Sequence, residues 1–394
     1  MIENNIPYWM AFAHAKNFSN RRKMDYLIEV VHGKQTIENT LLSVKSGDKL
    51  GFEFTDKEWQ GIQDAVFEIP NYSFLAEKLI AQGVDIVHIM EKYAYPKILK
   101  ENLKKDAPIV IYTKGNADLL NKKSIAIVGS RNCSNISIEF TDRIAKNAVM
   151  GKSVIVSGFA KGIDKQALDS AIKYKGQSII VLPQGIETYK AKTYYPETIR
   201  GDVLFISTYH PKAPWSVGLA MDRNKIIYGL AVEIYAAEAG ETGGTWEGVM
   251  NGIKRGRKVF VRMASANEKN ANNLLISKGA LPVDDLGKVV TTDGMPISNT
   301  SEPNSTYDSP PKSNFSDKEI IEKVISKLNS SIGKGITVHD IIELLTLDKK
   351  ASNRINKLLS EHPNLSKSKK GRENYFHLKN QIPQQTSIFS SGNE

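Results

Sequence analysis

The chain has 394 residues, 41% hydrophobic and 24% charged, with a formal charge of +10 at pH 7. That is ordinary globular composition, long enough for a sizeable core and two or three domains, and the positive balance favours a polyanionic partner. The single cysteine, Cys133, excludes an internal disulfide and a multi-cysteine metal site, and no apolar run approaches the roughly 20 residues needed to span a bilayer.

The opening stretch MIENNIPYWMAFAHAKNFSN lacks the basic-then-apolar pattern of a secretion signal, so a cytoplasmic chain is expected. Apolar residues recur at helical spacing from Trp9 to Gly33, Asn39 to Val44, Asp56 to Ala65 and Leu75 to Gln82, with Gly83 as a C-cap. Residues 1–93 are therefore expected to form a helical N-terminal region. Ala94 to Asn116 reads as a loop, a short helix and a strand.

From Ser124 strand-like runs alternate with helical ones. SIAIVGS, SVIVSG, SIIVLPQG, VLFISTYHP, VEIYAA and KVFVRM are six strands in order. Helices are expected at Ile138–Met150, Ile163–Tyr174 and Trp246–Arg255, with a short one in NKIIYGLA. This alternation predicts an α/β core over residues 94–290, a doubly wound, Rossmann-like parallel sheet. Its ligand site lies beyond the C-terminal strand ends.

Residues 291–314 are rich in Ser, Thr, Asn and Pro and read as a flexible linker. Residues 315–380 predict three helices followed by a hairpin, the order of a small winged-helix domain. Ser316 and Glu319 form a capping box for the first helix, and Thr337 with Asp340 caps the second. Residues 381–394 read as a disordered tail.

Four strand ends carry unusual turns: Gly129-Ser130-Arg131, then Ser157-Gly158-Phe159-Ala160-Lys161-Gly162-Ile163-Asp164, then Pro183-Gln184-Gly185, then Gly240 to Glu247 with Gly243-Gly244-Thr245 at its centre. Glycine lets backbone N–H groups approach an oxygen-rich ligand, and a following helix N-terminus adds partial positive charge. One such turn is explained by folding alone; several at one sheet edge, joined by Arg131 and Lys161, predict an anion site. The first turn is not a G-x-G-x-x-G fingerprint, and Arg131 would obstruct a pyrophosphate packed on the backbone. No Walker A lysine motif is present. After the fourth strand, Arg223, Asn224 and Lys225 add a cationic cluster, and Trp215 is either a stacking platform for a base or packing beneath its loop.

IAIVGSR, VIVSGFAKGID, IIVLPQGIETYK, DRNKIIYGL and GRKVFV resemble the DprA/Smf family of DNA-processing proteins, with YPKILK, APIVIYTKGN and NNLLISKGA extending the resemblance over Tyr95 to Ala280. The resemblance implies a single-stranded DNA-binding core that brings a RecA-type recombinase onto the strand, a homodimer formed through that core, and no membrane role. It implies DNA-backbone contact at Arg131, with Lys161 and Arg223-Asn224-Lys225 lining the pocket. The chain departs from the family pattern at Pro183-Gln184-Gly185, at Thr208 and at Gly243-Gly244-Thr245.

No catalytic constellation is evident. The seven histidines are scattered without metal-ligand spacing, no Ser/His/Asp arrangement is suggested, and Cys133 reads as a loop residue rather than a nucleophile. A non-enzymatic binding protein needing no cofactor is therefore expected. The alternative is a nucleotide sensor or phosphoribohydrolase-like enzyme, in which Gly243-Gly244-Thr245 cradles phosphate and Glu247 assists cleavage of an N-glycosidic bond. A third reading places duplex DNA on the tail. It uses Lys349, Lys350, Arg354 and Lys357 on or before its third helix, and Lys367, Lys369, Lys370 and Arg372 in its wing.

Overall fold

The computed structural model describes residues 5–49, 51–190, 193–290, 317–330, 335–345, 352–370 and 373–379. It divides into two compact units, Met1–Met295 and Pro296–Glu394. The expected linker and tail, Ser316, Lys349, Lys350 and Arg372 lie outside the described residues.

The first unit begins with α1 (Ile6–His14), α2 (Asn20–His32), α3 (Ile37–Lys45), α4 (Asp56–Phe67) and α5 (Ile69–Ala81). The single periodic run from Trp9 to Gly33 is in fact two helices, because Ser19 caps a new one by accepting from the Arg22 N–H. Thr55 and Glu58 form a complete capping box on α4. The helices close on an aromatic cluster in which the Tyr26 ring lies 5.0 Å from both Phe52 and Phe54.

The helical reading of residues 1–93 needs one correction. Past Gly83, the segment Val84–His88 is a strand, β1, and belongs to the main sheet. There follow α6 (Lys97–Leu103), β2 (Val110–Lys114), β3 (Ser124–Gly129), α7 (Asn135–Met150), β4 (Val154–Ser157), α8 (Ile163–Lys173), β5 (Ser178–Val181), α9 (Tyr195–Arg200) and β6 (Val203–Ser207). Next come α10 (Val217–Asp222), α11 (Asn224–Leu230), β7 (Glu233–Glu238), α12 (Gly244–Lys254), β8 (Val259–Arg262), α13 (Asn272–Ser277) and β9 (Leu281–Val283).

The nine strands run in the order β1-β2-β6-β5-β4-β3-β7-β8-β9. The six strands read from the sequence are mutually parallel, as is β9 beside β8. β2 is antiparallel to β6 and β1 to β2, so the sheet is mixed at that edge rather than wholly parallel. β4 and β5 are buried along their whole length, as helices on both faces of a parallel sheet require. Strand order reverses at β3, which has β4 on one side and β7 on the other. The crevice beyond their C-terminal ends is the switch-point position.

The second unit contains α14 (Asp317–Ser330), β10 (Ile336–Thr337), α15 (Val338–Leu344), α16 (Ser352–Glu361), β11 (Leu365–Lys370) and β12 (Glu373–Leu378). Its antiparallel sheet has the order β10-β12-β11. Ile320, Val324, Ile341, Ile355, Leu359 and Phe376 fill its core. Thr337 and Asp340 cap α15 reciprocally: the Thr337 N–H donates to Asp340 Oδ2 at 2.8 Å, and the Asp340 N–H to Thr337 Oγ1 at 3.1 Å.

Candidate nucleic-acid interface

The turn after β3 is held at both ends by Glu238, the last residue of β7. The Ser130 N–H donates to the Glu238 carbonyl at 2.9 Å. The Ser134 N–H and hydroxyl donate to its carboxylate at 2.9 and 2.8 Å, and the Ser137 hydroxyl at 2.8 Å. Ser134 also caps α7. Arg131 therefore stands exposed on a fixed crown, with no ion pair among the described residues. Burial and the neighbouring Glu238 push the half-buried Cys133 thiol up, which opposes a nucleophilic role.

The turn after β4 packs directly under the first. Gly162 has φ +85, and a Cβ there would lie 2.4 Å from the Ser130 carbonyl oxygen. Only glycine allows the N-terminus of α8 to tuck beneath the Arg131 turn. Gly158 leaves room for the Arg223 guanidinium, since a Cβ there would lie 1.7 Å from Nη1. Lys161 is exposed between these two glycines.

Beneath both turns lies Asp164, buried in the first turn of α8. The backbone amides of Gly158, Gly129 and Ala160 favour its ionised form. Arg223 supplies the opposing charge. Burial raises the Asp164 pKa and lowers that of Arg223, and each charge offsets the other's desolvation. The amides of Gly129 and Gly158, expected to meet a ligand phosphate, thus already face a buried carboxylate.

Further residues expected at the site make contacts within the fold. Ser157 is fully buried and its hydroxyl donates to the Ile127 carbonyl at 3.0 Å, which ties β4 to β3. Arg223 is only 4% exposed, and its Nη1 donates to the Val181 carbonyl at 2.8 Å. Lys225 is half-buried and paired with Asp222 at 2.6 Å. Asn224 Nδ2 donates to the Gly244 carbonyl at 3.4 Å, linking α11 to the turn after β7.

Two neighbouring clefts result. One, of about 410 Å³, is lined by Gly129, Ser130, Arg131, Asn224, Gly243, Gly244 and Thr245 among others. The second, of about 280 Å³, is walled by Phe159, Pro183, Gln184, Tyr189 and Trp215, with Lys161 at its rim. Arg131 and Arg223 line both. Trp215 is 52% exposed, so it presents its ring to solvent rather than packing beneath the loop. Glu247 is exposed in the first turn of α12 and lines neither cleft.

Asp164, Glu238, Phe159 and Tyr189 were missed as site residues by the sequence reading. Asp164 carried a usable signal, because a carboxylate two residues after Gly162, in the first turn of a helix, is placed against free backbone amides. Glu238 carried none beyond standing at a strand end.

In the second unit, Arg354 of α16 is paired with Asp317 of α14 through its guanidinium, and Lys357 lies 4.0 Å from Glu361. Lys367, Lys369 and Lys370 belong to β11. Arg354 is thus partly neutralised.

The family model of DNA recombination-mediator protein A matches residues 86–292, a span that holds every residue of both clefts. DNA processing protein DprA of Streptococcus pneumoniae is 35% identical over 158 residues, which cover 39% of this chain and 55% of that protein. DprA of Bacillus subtilis is 29% identical over 204 residues, covering 50% of this chain and 68% of the relative. This chain thus spans about half the length of the first relative and two thirds of the second. The X-ray structure of the Streptococcus pneumoniae protein superposes with a TM-score of 0.59 at 26% identity, over 70% of this chain and 94% of that one. With β2 to β9, both clefts and more than half its length inside the match, the chain belongs to the DNA recombination-mediator protein A family.

Proposed function

We propose that this chain binds single-stranded DNA, without catalysis, across the two clefts at the C-terminal edge of its main sheet. The observation that carries the reading is the pairing of Arg131 and Lys161, exposed cations on two interlocked turns, with the half-exposed Trp215 ring lining the same cleft. A small nucleotide rests on backbone amides at a helix start. A running phosphodiester is met by side-chain cations, and its bases stack on aromatic rings.

Family membership supports a role in DNA processing and recombination. The same resemblance suggests a RecA-type recombinase as protein partner and a homodimer formed through the core. In the second unit, three helices followed by a hairpin suit a winged helix, with Lys357 and Lys367 among its exposed cations. The hydrolase alternative gains no support, because Glu247 is exposed and does not line the cleft it would have to serve.

The test is a fluorescence-anisotropy comparison on the intact chain with labelled single-stranded DNA, duplex DNA and a mononucleotide. The reading requires single strands to bind more tightly than the other two, with affinity falling steeply as salt rises. Equal affinity for the mononucleotide and the strand would sink it.

A further inference from the structure

The position of Asp164 reaches beyond strand binding. In a doubly wound sheet, the amides at the switch-point turns and the following helix N-terminus form the seat of a ligand phosphate. Here a side chain fills that seat. Asp164 is 7% exposed and lines the cleft together with Gly129 and Ala160, whose amides, with that of Gly158, favour its ionised form. Arg223 lies under the same turns at 4% exposure, its Nε without a hydrogen-bond partner. Both residues line the 410 Å³ cleft beside Arg131.

We propose that Asp164 is a built-in anion occupying the phosphate seat, and that it determines specificity by turning away free phosphate and mononucleotides while leaving the cleft open to a polymer. The inference rests on reading the cleft as a nucleic-acid site, and it says which phosphates that site refuses. A free phosphate would have to displace a tethered carboxylate held at high effective concentration. It would also meet that carboxylate's charge at close range in a partly dry cleft. A strand avoids both penalties, because Arg131 and Lys161 receive its phosphates outside the seat.

The experiment compares thermal denaturation of the full-length wild type, Asp164→Ala and Asp164→Asn in chloride and in inorganic phosphate at equal ionic strength. The alanine chain should melt lowest in chloride and recover most of the loss in phosphate, with a phosphate affinity roughly tenfold or more above wild type. The asparagine chain, whose seat stays filled, should recover far less. An equal response to phosphate in all three chains would overturn the proposal. If the alanine chain folds in neither salt, calorimetric titration of dTMP into the wild type decides. Submillimolar binding refutes the proposal, and its absence upholds it. Neither readout uses a DNA strand, so failure of strand binding and failure of this inference are told apart.

Discussion

Glu238 and Ser134 are joined twice. Both the backbone N–H and the hydroxyl of Ser134 donate to one carboxylate oxygen, at 2.9 and 2.8 Å. The Glu238 carbonyl meanwhile receives the Ser130 N–H at 2.9 Å. One residue of β7 thus closes both ends of the loop that carries Arg131.

Glu238→Ala should therefore act on binding through a residue it does not touch. Loss of these charge-assisted hydrogen bonds should cost about 2 kcal/mol of stability, a fall in Tm of several degrees. Strand affinity should fall several-fold as the Arg131 loop loosens. In an Arg131→Ala background the same change should cost no further affinity, a coupling that a double-mutant cycle by anisotropy measures directly. Additive losses would mean that Glu238 acts elsewhere.

Arg131→Ala and Lys161→Ala should each weaken strand binding by about tenfold, whatever the sequence of the strand. Each should also flatten the plot of log affinity against log salt by about one unit, the mark of one lost phosphate contact. An unchanged slope would remove that residue from the interface.

Trp215→Ala should show the opposite signature. Stacking is not screened by salt, so affinity should drop by about 1–3 kcal/mol while the slope stays as it was. Trp215→Phe should restore most of the loss. A full loss in the phenylalanine variant would argue against stacking.

Stability in acid should depend on Glu268. Its hydrogen bond with the buried Arg262 is the main cause of a carboxyl pKa lowered to about 2. A carboxylate held below its unfolded value contributes stability that is fully present above about pH 4.5 and lost as pH falls toward 2. The loss across that window should be about 2 kcal/mol, and Glu268→Gln should abolish this part of it. Acid titrations of Tm for the two chains make the comparison. Arg262 also donates to Ser137 Oγ at 3.1 Å, so the same acid window should loosen the anchor under Arg131.

The parallel core was legible because buried parallel strands are continuous apolar runs. Ile125 to Val128 and Ser178 to Val181 announce themselves without any partner in view. Val84 to His88 did not, since a five-residue run directly behind a helix cap reads equally well as the end of the helical region. The site was half legible. Arg131 and Lys161 were placed by the turns they interrupt. The burial of Arg223 was not legible, because local sequence cannot report that Gly158, far away along the chain, makes space for its guanidinium. Asp164 and Glu238 act through groups from other strands, so their roles exist only once the sheet has brought those strands together.

Gly162 lets two turns share a few ångströms of space, with the Ile163 N–H donating to the Ser130 carbonyl at 3.3 Å. Arg131 and Lys161 are consequently mounted on one rigid body, whose stiffness is set before any ligand arrives. The conformational entropy lost on binding is then chiefly that of the strand. Affinity should accordingly respond more to how stiff or stacked the strand already is than to anything that orders the protein.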